Sequence, residues 1–362
     1  MNKLRVVDAH GQAPERPGAG ERVTCGVDLA RNKWVHAVHW GEAVHRQVVT
    51  PSGLEHVQAL VGAYHPAHAV RLVYEACGFG YELAWWAQAA GIEVVVVAPS
   101  RVERVPGARV KTDRLDARTL ATKGATGQLK SVAIPTRTQH AQRQLLRTYV
   151  QARSDRARTQ ARMRSLFQEH GRLGPPPRSG WGAYERWMAQ QTLPPPVAVA
   201  LAELRGLRAA AAASAARLNT HLLALAASAE HRAVVAALTT QAGVAEFSAI
   251  RLLLEIGDPR PRFRSAEAWV NSLGLTPSEY STGDGPAHRG HLQKCGHAPL
   301  RAALVQCAWV AIRTDAPLRA VFDRLAPRLG KKRAIIAVTR RLAIRLRARW
   351  LEALATPPAA AA

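Results

Sequence analysis

Four acidic residues in the first third of the chain occupy positions suited to binding divalent metal. Asp28 lies at the end of a short apolar strand and Glu75 closes another, whereas Asp113 and Asp116 begin a predicted helix. Because Asp113 and Asp116 are three residues apart, their carboxylates lie on one helical face. Metal-dependent phosphoryl transfer commonly uses two ions about 4 Å apart, held by carboxylates. The four residues therefore predict a site for Mg²⁺, or for Mn²⁺ in its place, that acts on phosphodiesters.

A structural interpretation of the same residues is also open. In it, Asp28 caps a turn, and Asp113 and Asp116 are ordinary first-turn acids that the helix dipole favours. Any one of these residues fits that interpretation. The occurrence of all four, with Glu75 closing a very apolar strand, favours the metal site.

A second candidate for chemistry is a hydroxyl group. The loop PSEYSTG (Pro277–Gly283) carries Ser281 and Thr282 beside a glycine. A hydroxyl in a flexible loop among cations can attack a phosphodiester and remain covalently attached. From composition alone, an ordinary serine-rich surface turn is the favoured interpretation. The basic residues that follow the loop are His288, Arg289, Lys294 and Arg301.

The charge of the chain indicates a polyanionic partner. There are 50 Lys and Arg against 26 Asp and Glu, a formal net charge of +24. Neutralising phosphates with such side chains releases condensed counterions, which favours binding to nucleic acid. No run of about 18 apolar residues suggests a membrane span, and the first 20 residues lack the apolar core of a signal peptide.

The four cysteines point to the compartment. They lie far apart and form no C-x-x-C pair, so neither a zinc site nor a disulfide framework is expected. A reducing cytoplasm suits such a chain. We therefore expect a cytoplasmic location.

Hydrophobic patterning places the four acids on an α/β domain. Three strands come first, and helices then alternate with two further strands, which predicts a mixed sheet covered by helices on both faces. This order is also found in ribonuclease-H-like nucleases and integrases. The predicted strands are 22–28, 34–40, 45–50, 70–74 and 93–98, and the helices begin near Pro51, Tyr81 and Asp113.

The rest of the chain is predicted to be helical. A long arginine-rich helix over 138–170 and an alanine-rich helix over 198–227 are expected to pair as an antiparallel hairpin, with a loop-like Pro- and Gly-rich insertion at 171–196. A linker with a solvated charged face is the alternative. Helices are also expected at 247–256, 263–275, 299–314 and 330–350. The residues expected to contact phosphate are Arg143, Arg147, Arg153, Arg156, Lys294, Arg301, Lys331, Lys332 and Arg333.

Several motifs resemble those of a known family. GVDLARNKW (26–34), YEACG (74–78) and KTDRLDA (111–117) resemble the amino-terminal domain of the DEDD transposases of insertion-sequence family one-ten, relatives of the Piv-type DNA invertases. LLLEIGDPRPRF (252–263), LGLTPSEYSTG (273–283) and KCGHAPLRAALVQCAW (294–309) resemble the second domain of that family. The matches lie at both ends of the chain and in the order of the family.

The resemblance implies a specific architecture and mechanism. It implies a ribonuclease-H/RuvC-like domain (21–130), a helical coiled-coil region (138–235) and a small all-helical transposase domain (236–352), between a disordered lead-in (1–20) and tail (353–362). It assigns the metal tetrad to Asp28, Glu75, Asp113 and Asp116. The family often has a nucleophilic serine immediately before the glycine, where this chain has Thr282, so Ser281 is the favoured nucleophile and Thr282 the alternative.

The resemblance also implies partners. Members act as oligomers, dimers or tetramers, on double-stranded DNA, and a non-coding guide RNA from the flank of the element specifies donor and target. We therefore expect a magnesium-dependent transposase or recombinase of an insertion sequence. The alternatives are a RuvC-like structure-selective endonuclease that needs no hydroxyl, and a non-catalytic nucleic-acid-binding protein whose acids are structural.

Overall fold

The computed structural model describes residues 16–99, 102, 112–280, 288–293 and 295–355, except for the side chains of 177, 279, 280, 288 and 289. Most of the predicted lead-in and tail lies outside these ranges. The chain divides into two compact units, residues 1–135 and 136–362. The first unit contains the predicted α/β domain and the second contains the helical hairpin together with the carboxy-terminal helices.

A five-stranded mixed sheet forms the centre of the first unit. Its strands are β1 (Val23–Leu29), β2 (Lys33–Trp40), β3 (Ala43–Pro51), β4 (Val70–Glu75) and β5 (Glu93–Val97), in the order β3-β2-β1-β4-β5. The first three strands form an antiparallel meander, and β4 and β5 join it in parallel with β1. The sequence-based prediction of a mixed sheet is confirmed.

Helices cover this sheet on both faces. On one face, α1 (Leu54–Gly62) and α2 (Glu82–Ala89) bury a core that includes Val27, Leu72 and Tyr74. On the other face, α3 (Asp113–Ala125) packs small residues against β1 and β2 and places Leu120 against β4 and β5. Strand residues alternate between the two faces because successive side chains point in opposite directions.

The second unit begins with a long helical hairpin. Helix α4 (Arg137–Glu169) and helix α6 (Pro195–Ala227) each have 33 residues. Residues 146–152 of α4 share a core with residues 215–226 of α6, and residues 163–167 share another core with Leu201. The two helices are therefore antiparallel, as predicted.

The connection between α4 and α6 differs from the loop that the sequence predicts. It contains a short 3₁₀ turn (Pro177–Ser179) and helix α5 (Gly180–Ala189). Tyr184 and Met188 of α5 are buried against Met163 and Phe167 of α4. The insertion therefore has its own small core, because its aromatic residues recur at helical spacing behind the prolines.

The remaining elements of the second unit form its main core with the base of the hairpin. They are α7 (Arg232–Thr239), α8 (Glu246–Ile256), α9 (Ala266–Ser272), β6 (Pro277–Tyr280), β7 (His288–Leu292), α10 (Ala298–Ala311), α11 (Ala316–Leu329) and α12 (Lys331–Ala355). The antiparallel pair β6–β7 shows that the prediction of an all-helical carboxy-terminal domain was wrong. Helix α12 also continues to Ala355, beyond the predicted end of the domain.

Buried side chains of α12 hold this core together. Trp350 meets the ring of Trp269 edge-on at 6.2 Å, and the Trp269 indole N–H donates to the Ala343 carbonyl at 2.8 Å. Among the described residues, no single helix is long and apolar enough to cross a membrane. Two helices reach that threshold only when combined, α6 and α7, and a 98° bend separates them.

Candidate functional site

The strand register places Asp28 and Glu75 side by side. The parallel pairing of β1 with β4 runs up to Val27 opposite Tyr74, so the next residue of each strand is one of the two acids. Val27 and Tyr74 both point into the core beneath α1 and α2. Asp28 and Glu75 therefore start from the opposite face, the face that α3 covers.

A close approach of α3 to β1 occurs at Gly26. A Cβ atom at this position would overlap the carbonyl oxygen of Ala117 and the amide nitrogen of Ala121. Only glycine permits the helix backbone to lie this close to the strand. Gly26 is on the same face of β1 as Asp28, two residues away.

The direction of α3 follows from a second close contact, near its other end. A Cβ at Gly124 would lie 3.2 Å from Thr24 Cγ2, so the end of the helix lies beside the beginning of β1. Helix α3 is thus antiparallel to β1, and its first turn, with Asp113 and Asp116, comes to the edge of the sheet where Asp28 lies. We call this edge, defined by Asp28, Glu75, Asp113 and Asp116, the acidic edge.

The first turn of α3 has a fixed start. The Thr112 side chain caps the helix by accepting a hydrogen bond from the Leu115 N–H at 3.3 Å. The Asp113 carboxylate forms an ion pair with Lys33 Nζ at 3.1 Å, and both side chains are exposed. Lys33 is the first residue of β2, so a cation that the sequence analysis passed over lies beside the tetrad.

The acidic edge suits a hard divalent cation by its donor chemistry, since all four side chains supply carboxylate oxygens. The structure brings their backbone positions to one edge of one sheet. Within the described ranges, however, no three His, Cys, Asp or Glu side chains are grouped closely enough to hold a metal ion. The side-chain arrangement shown, in which Lys33 engages Asp113, is therefore not a closed coordination cluster.

A cysteine at the acidic edge was not singled out by the sequence analysis. Burial, together with the charges of Asp28 and Glu75, raises the pKa of the Cys77 thiol, while the Phe79 backbone N–H opposes the shift. Cys77 therefore lies within electrostatic range of two members of the tetrad. The signal for it was present in the motif YEACG, where Cys77 follows Glu75 by two residues.

The predicted hydroxyls lie outside the described residues, as does Lys294. Ser281 and Thr282 directly follow β6 in the chain, and residues 281–287 connect β6 to β7. The strand pair itself is described: Pro277 lies opposite Leu292, and Ser278 Oγ donates to the His291 carbonyl at 3.1 Å. In sequence, the candidate nucleophiles thus lie between two strands that pair with each other.

Arg301 has a structural position at the base of this hairpin. Its Nη1 atom donates to the carbonyl oxygens of Gly274 at 3.2 Å and Cys295 at 3.3 Å. These bonds join the segment before β6 to the segment after β7. The prediction that Arg301 contacts phosphate stays a prediction, because these bonds occupy one terminal nitrogen of the guanidinium.

Arg143 likewise departs from its predicted role. It is only 8% exposed, and it donates to the carbonyl oxygens of Leu254 at 2.6 Å and Glu255 at 3.0 Å, in the last turn of α8. A cation at a helix carboxy terminus is stabilising, since unpaired carbonyls and the helix dipole meet there. Arg143 therefore fastens α4 to α8 and is not a surface contact.

The other predicted phosphate contacts that the structure describes lie at the surface. On α4, Arg147 and Arg153 are exposed and Arg156 is partly exposed. Lys331, Lys332 and Arg333 are exposed in the first turn of α12, a position that the helix dipole makes unfavourable for cations. Arg324 and Arg328 on α11, a few residues earlier in the chain, are exposed as well.

Comparison with known proteins gives consistent matches. Residues 25–171 match a family model described as a DEDD transposase of the IS110 type, and residues 235–323 match that of the transposase IS116/IS110/IS902 family. A protein of Sinorhizobium fredii (strain NBRC 101917 / NGR234), described as "Putative transposase y4qE", is 30% identical over 319 residues. The alignment covers 85% of this chain and 73% of that protein.

Two solved structures also show similarity. One is the structure of Thermus thermophilus RuvC, at 13% identity and a TM-score of 0.23, covering 30% of this chain and 99% of that chain. The other is T. thermophilus RuvC in complex with a Holliday junction substrate, also at 13% identity and a TM-score of 0.23, covering 31% and 99%.

Proposed function

The chain belongs to the IS116/IS110/IS902 family of transposases, and we propose that it cuts and rejoins double-stranded DNA through the acidic edge and a hydroxyl nucleophile. One observation carries the proposal. Asp28 and Glu75 end neighbouring parallel strands on the face that α3 covers, and the close packing of α3 at Gly26 brings Asp113 and Asp116 to the same edge. A nuclease with a carboxylate site needs this convergence.

In the proposed mechanism, Asp28, Glu75, Asp113 and Asp116 hold divalent magnesium or manganese. When bound, such ions polarise the scissile phosphodiester and stabilise the leaving oxygen. Lys33 offsets the negative charge of Asp113 and so reduces the repulsion among four carboxylates.

The proposed nucleophile is Ser281, with Thr282 as the alternative. Its oxygen forms a bond to phosphorus, the bond from phosphorus to the departing sugar oxygen breaks, and the hydroxyl proton is lost as that sugar oxygen gains one. Support comes from the position of both residues immediately after β6, within the segment that matches the family model.

The basic surfaces are proposed to hold the DNA backbone. Arg147, Arg153 and Arg156 on α4, and Lys331, Lys332 and Arg333 on α12, would contact phosphates and position the duplex without reading its sequence. Lys294 is proposed as a further contact. Sequence choice by a non-coding guide RNA, and assembly into a dimer or tetramer, complete the proposal. Both rest on the resemblance to the family.

A recombination assay with the ends of the element and its flanking RNA tests this function. We expect magnesium-dependent strand cleavage by the wild type, with a trapped covalent protein–DNA adduct. Asp113→Asn should lose cleavage, and either Ser281→Ala or Thr282→Ala should lose the adduct. Asp155→Asn is the matched control, because Asp155 is an exposed acid paired with Arg158 on α4.

The outcomes separate the possible functions. If both hydroxyl variants cleave normally while Asp113→Asn does not, the protein is a carboxylate-only nuclease. If Asp113→Asn cleaves like the wild type, the acidic edge is structural. A binding measurement with Mn²⁺ alone gives a readout independent of activity: the wild type and Asp155→Asn should bind the ion, and Asp113→Asn should bind it more weakly.

A further inference from the structure

Phe79 differs from the other described aromatic side chains in its exposure to solvent. Among the aromatic side chains that the structure describes, Phe79 alone is exposed, at 43% of its surface. It lies four residues after Glu75, in a turn closed by a hydrogen bond from the Gly80 N–H to the Cys77 carbonyl at 3.3 Å. The turn follows directly from the acidic edge.

A contact with another aromatic side chain fixes the position of the Phe79 ring. It meets the indole of Trp34 edge-on, with the ring centres 6.2 Å apart and the planes at 74°. Trp34 is only 7% exposed and lies in β2 opposite Leu29, the residue after Asp28. Trp34, which belongs to the core beneath α1 and α2, thus contacts Phe79 on one side, and 43% of the Phe79 surface remains exposed.

A second exposed apolar side chain flanks the same edge. Leu115, between Asp113 and Asp116 in the first turn of α3, is 47% exposed. Phosphates are recognised by cations and N–H groups, not by phenyl or isobutyl groups. Exposed apolar groups beside the acidic edge therefore match another part of nucleic acid, which is the face of a base.

We propose that Phe79 stacks on an unpaired nucleobase of the DNA strand that enters the acidic edge. In a paired duplex both faces of a base are covered by its neighbours, so a lone phenyl ring gains nothing from it. Stacking requires a base that has left the helix, as in single-stranded or locally opened DNA. The acidic edge is accordingly specific for a strand with an unpaired base next to the phosphodiester. This inference rests on the proposed function.

A photo-crosslinking experiment tests the contact directly. The probe is a single-stranded DNA oligonucleotide with 5-iodouracil in place of thymine, which crosslinks to aromatic side chains stacked on it. The full-length protein is irradiated without divalent metal, and crosslinked peptides are mapped by mass spectrometry. We expect a crosslink at Phe79, its retention in Phe79→Trp and its loss in Phe79→Leu. Because the mapping identifies the crosslinked residue, DNA bound at the basic surfaces does not obscure a crosslink at Phe79.

An affinity measurement supplies the magnitude. At about 0.5 M salt, where phosphate contacts are strongly weakened, Phe79→Leu should bind the single strand about tenfold more weakly, equivalent to about 1.4 kcal/mol. Its affinity for the duplex of the same sequence should be unchanged. Leu173→Ala is the matched control, because Leu173 is 80% exposed and lies in the second unit. It should bind both forms like the wild type.

Failure of this inference is distinguishable from failure of the proposed function. Absence of a Phe79 crosslink, equal losses on single strand and duplex, or a crosslink to an RNA probe that is stronger than the crosslink to DNA would each overturn the inference. None of these results depends on cleavage. Asp113→Asn should retain the crosslink, so an inactive acidic edge with an intact Phe79 contact would refute only the catalytic proposal.

Discussion

Replacement of Arg143 tests whether this arginine of α4 serves structure or DNA binding. Arg143→Ala removes two hydrogen bonds from a charged donor to the last carbonyls of α8, and those carbonyls are left without their partner in a buried place. Hydrogen bonds to charged groups contribute about 1.5–3 kcal/mol each, and an unsatisfied buried acceptor costs about 1–3 kcal/mol. Because these contributions overlap, we expect a loss of about 3 kcal/mol of unfolding free energy.

The matched control is Arg147, one turn further along α4 and exposed. In a unit of this size, about 3 kcal/mol lowers Tm by about 6–12 °C, which circular dichroism measures directly. Arg143→Ala should show this loss with an unchanged salt dependence of DNA affinity. Arg147→Ala should keep the wild-type Tm and lower the salt slope by about one. A wild-type Tm in Arg143→Ala, with a reduced salt slope, would refute the structural role.

Three further predictions concern other parts of the fold. Burial lowers the pKa of His36 to about 4, with smaller contributions from His56 and Arg46. Since the unfolded chain takes up the proton near pH 6.5 and the folded chain does not, stability should fall by about 3 kcal/mol from pH 7 to pH 4. Urea unfolding should show this fall, and His36→Gln should largely abolish it. Gly26→Ala should force α3 away from β1. We expect weaker Mn²⁺ binding and a lower Tm, and a fully active, stable variant would contradict the packing. Tyr184→Ala should expose the insertion to limited proteolysis while Tm stays near the wild-type value. A Tm far below the wild-type value would show that the small core is not independent of the main core.

The α/β domain was predictable because its strands are apolar, short and punctuated by polar turns. Strands β1 and β4 each end beside an acid, Asp28 and Glu75, so the acidic edge followed from sequence order and the parallel pairing of these two strands. The surroundings of each charged side chain could not be predicted from the sequence. The ion pair of Lys33 with Asp113 joins residues that are far apart in the chain, and no local pattern announces it.

The predictions that the structure contradicts concern the second unit. Arg143 is three residues from Leu146 and six from Tyr149, on the buried stripe of α4, but its charge suggested the surface. Helix α5 was missed because prolines and glycines before it resemble a loop, although proline is well tolerated where a helix begins. Strands β6 and β7 were missed because a two-stranded hairpin needs no apolar alternation to form its backbone pairs.

The small core under α5 affects how the hairpin of α4 and α6 can vary in length. Tyr184 and Met188 close the far end of the hairpin with contacts to α4 and α6 that are separate from the main core. Arg208 reinforces the closure by an ion pair with Glu185 at 2.8 Å and by lying over the ring of Trp181. The end of the hairpin thus has a hydrophobic core of its own. Between the two cores, α4 and α6 can therefore gain or lose whole helical turns together. Such changes would alter the length of the hairpin and leave both the small core and the main core intact.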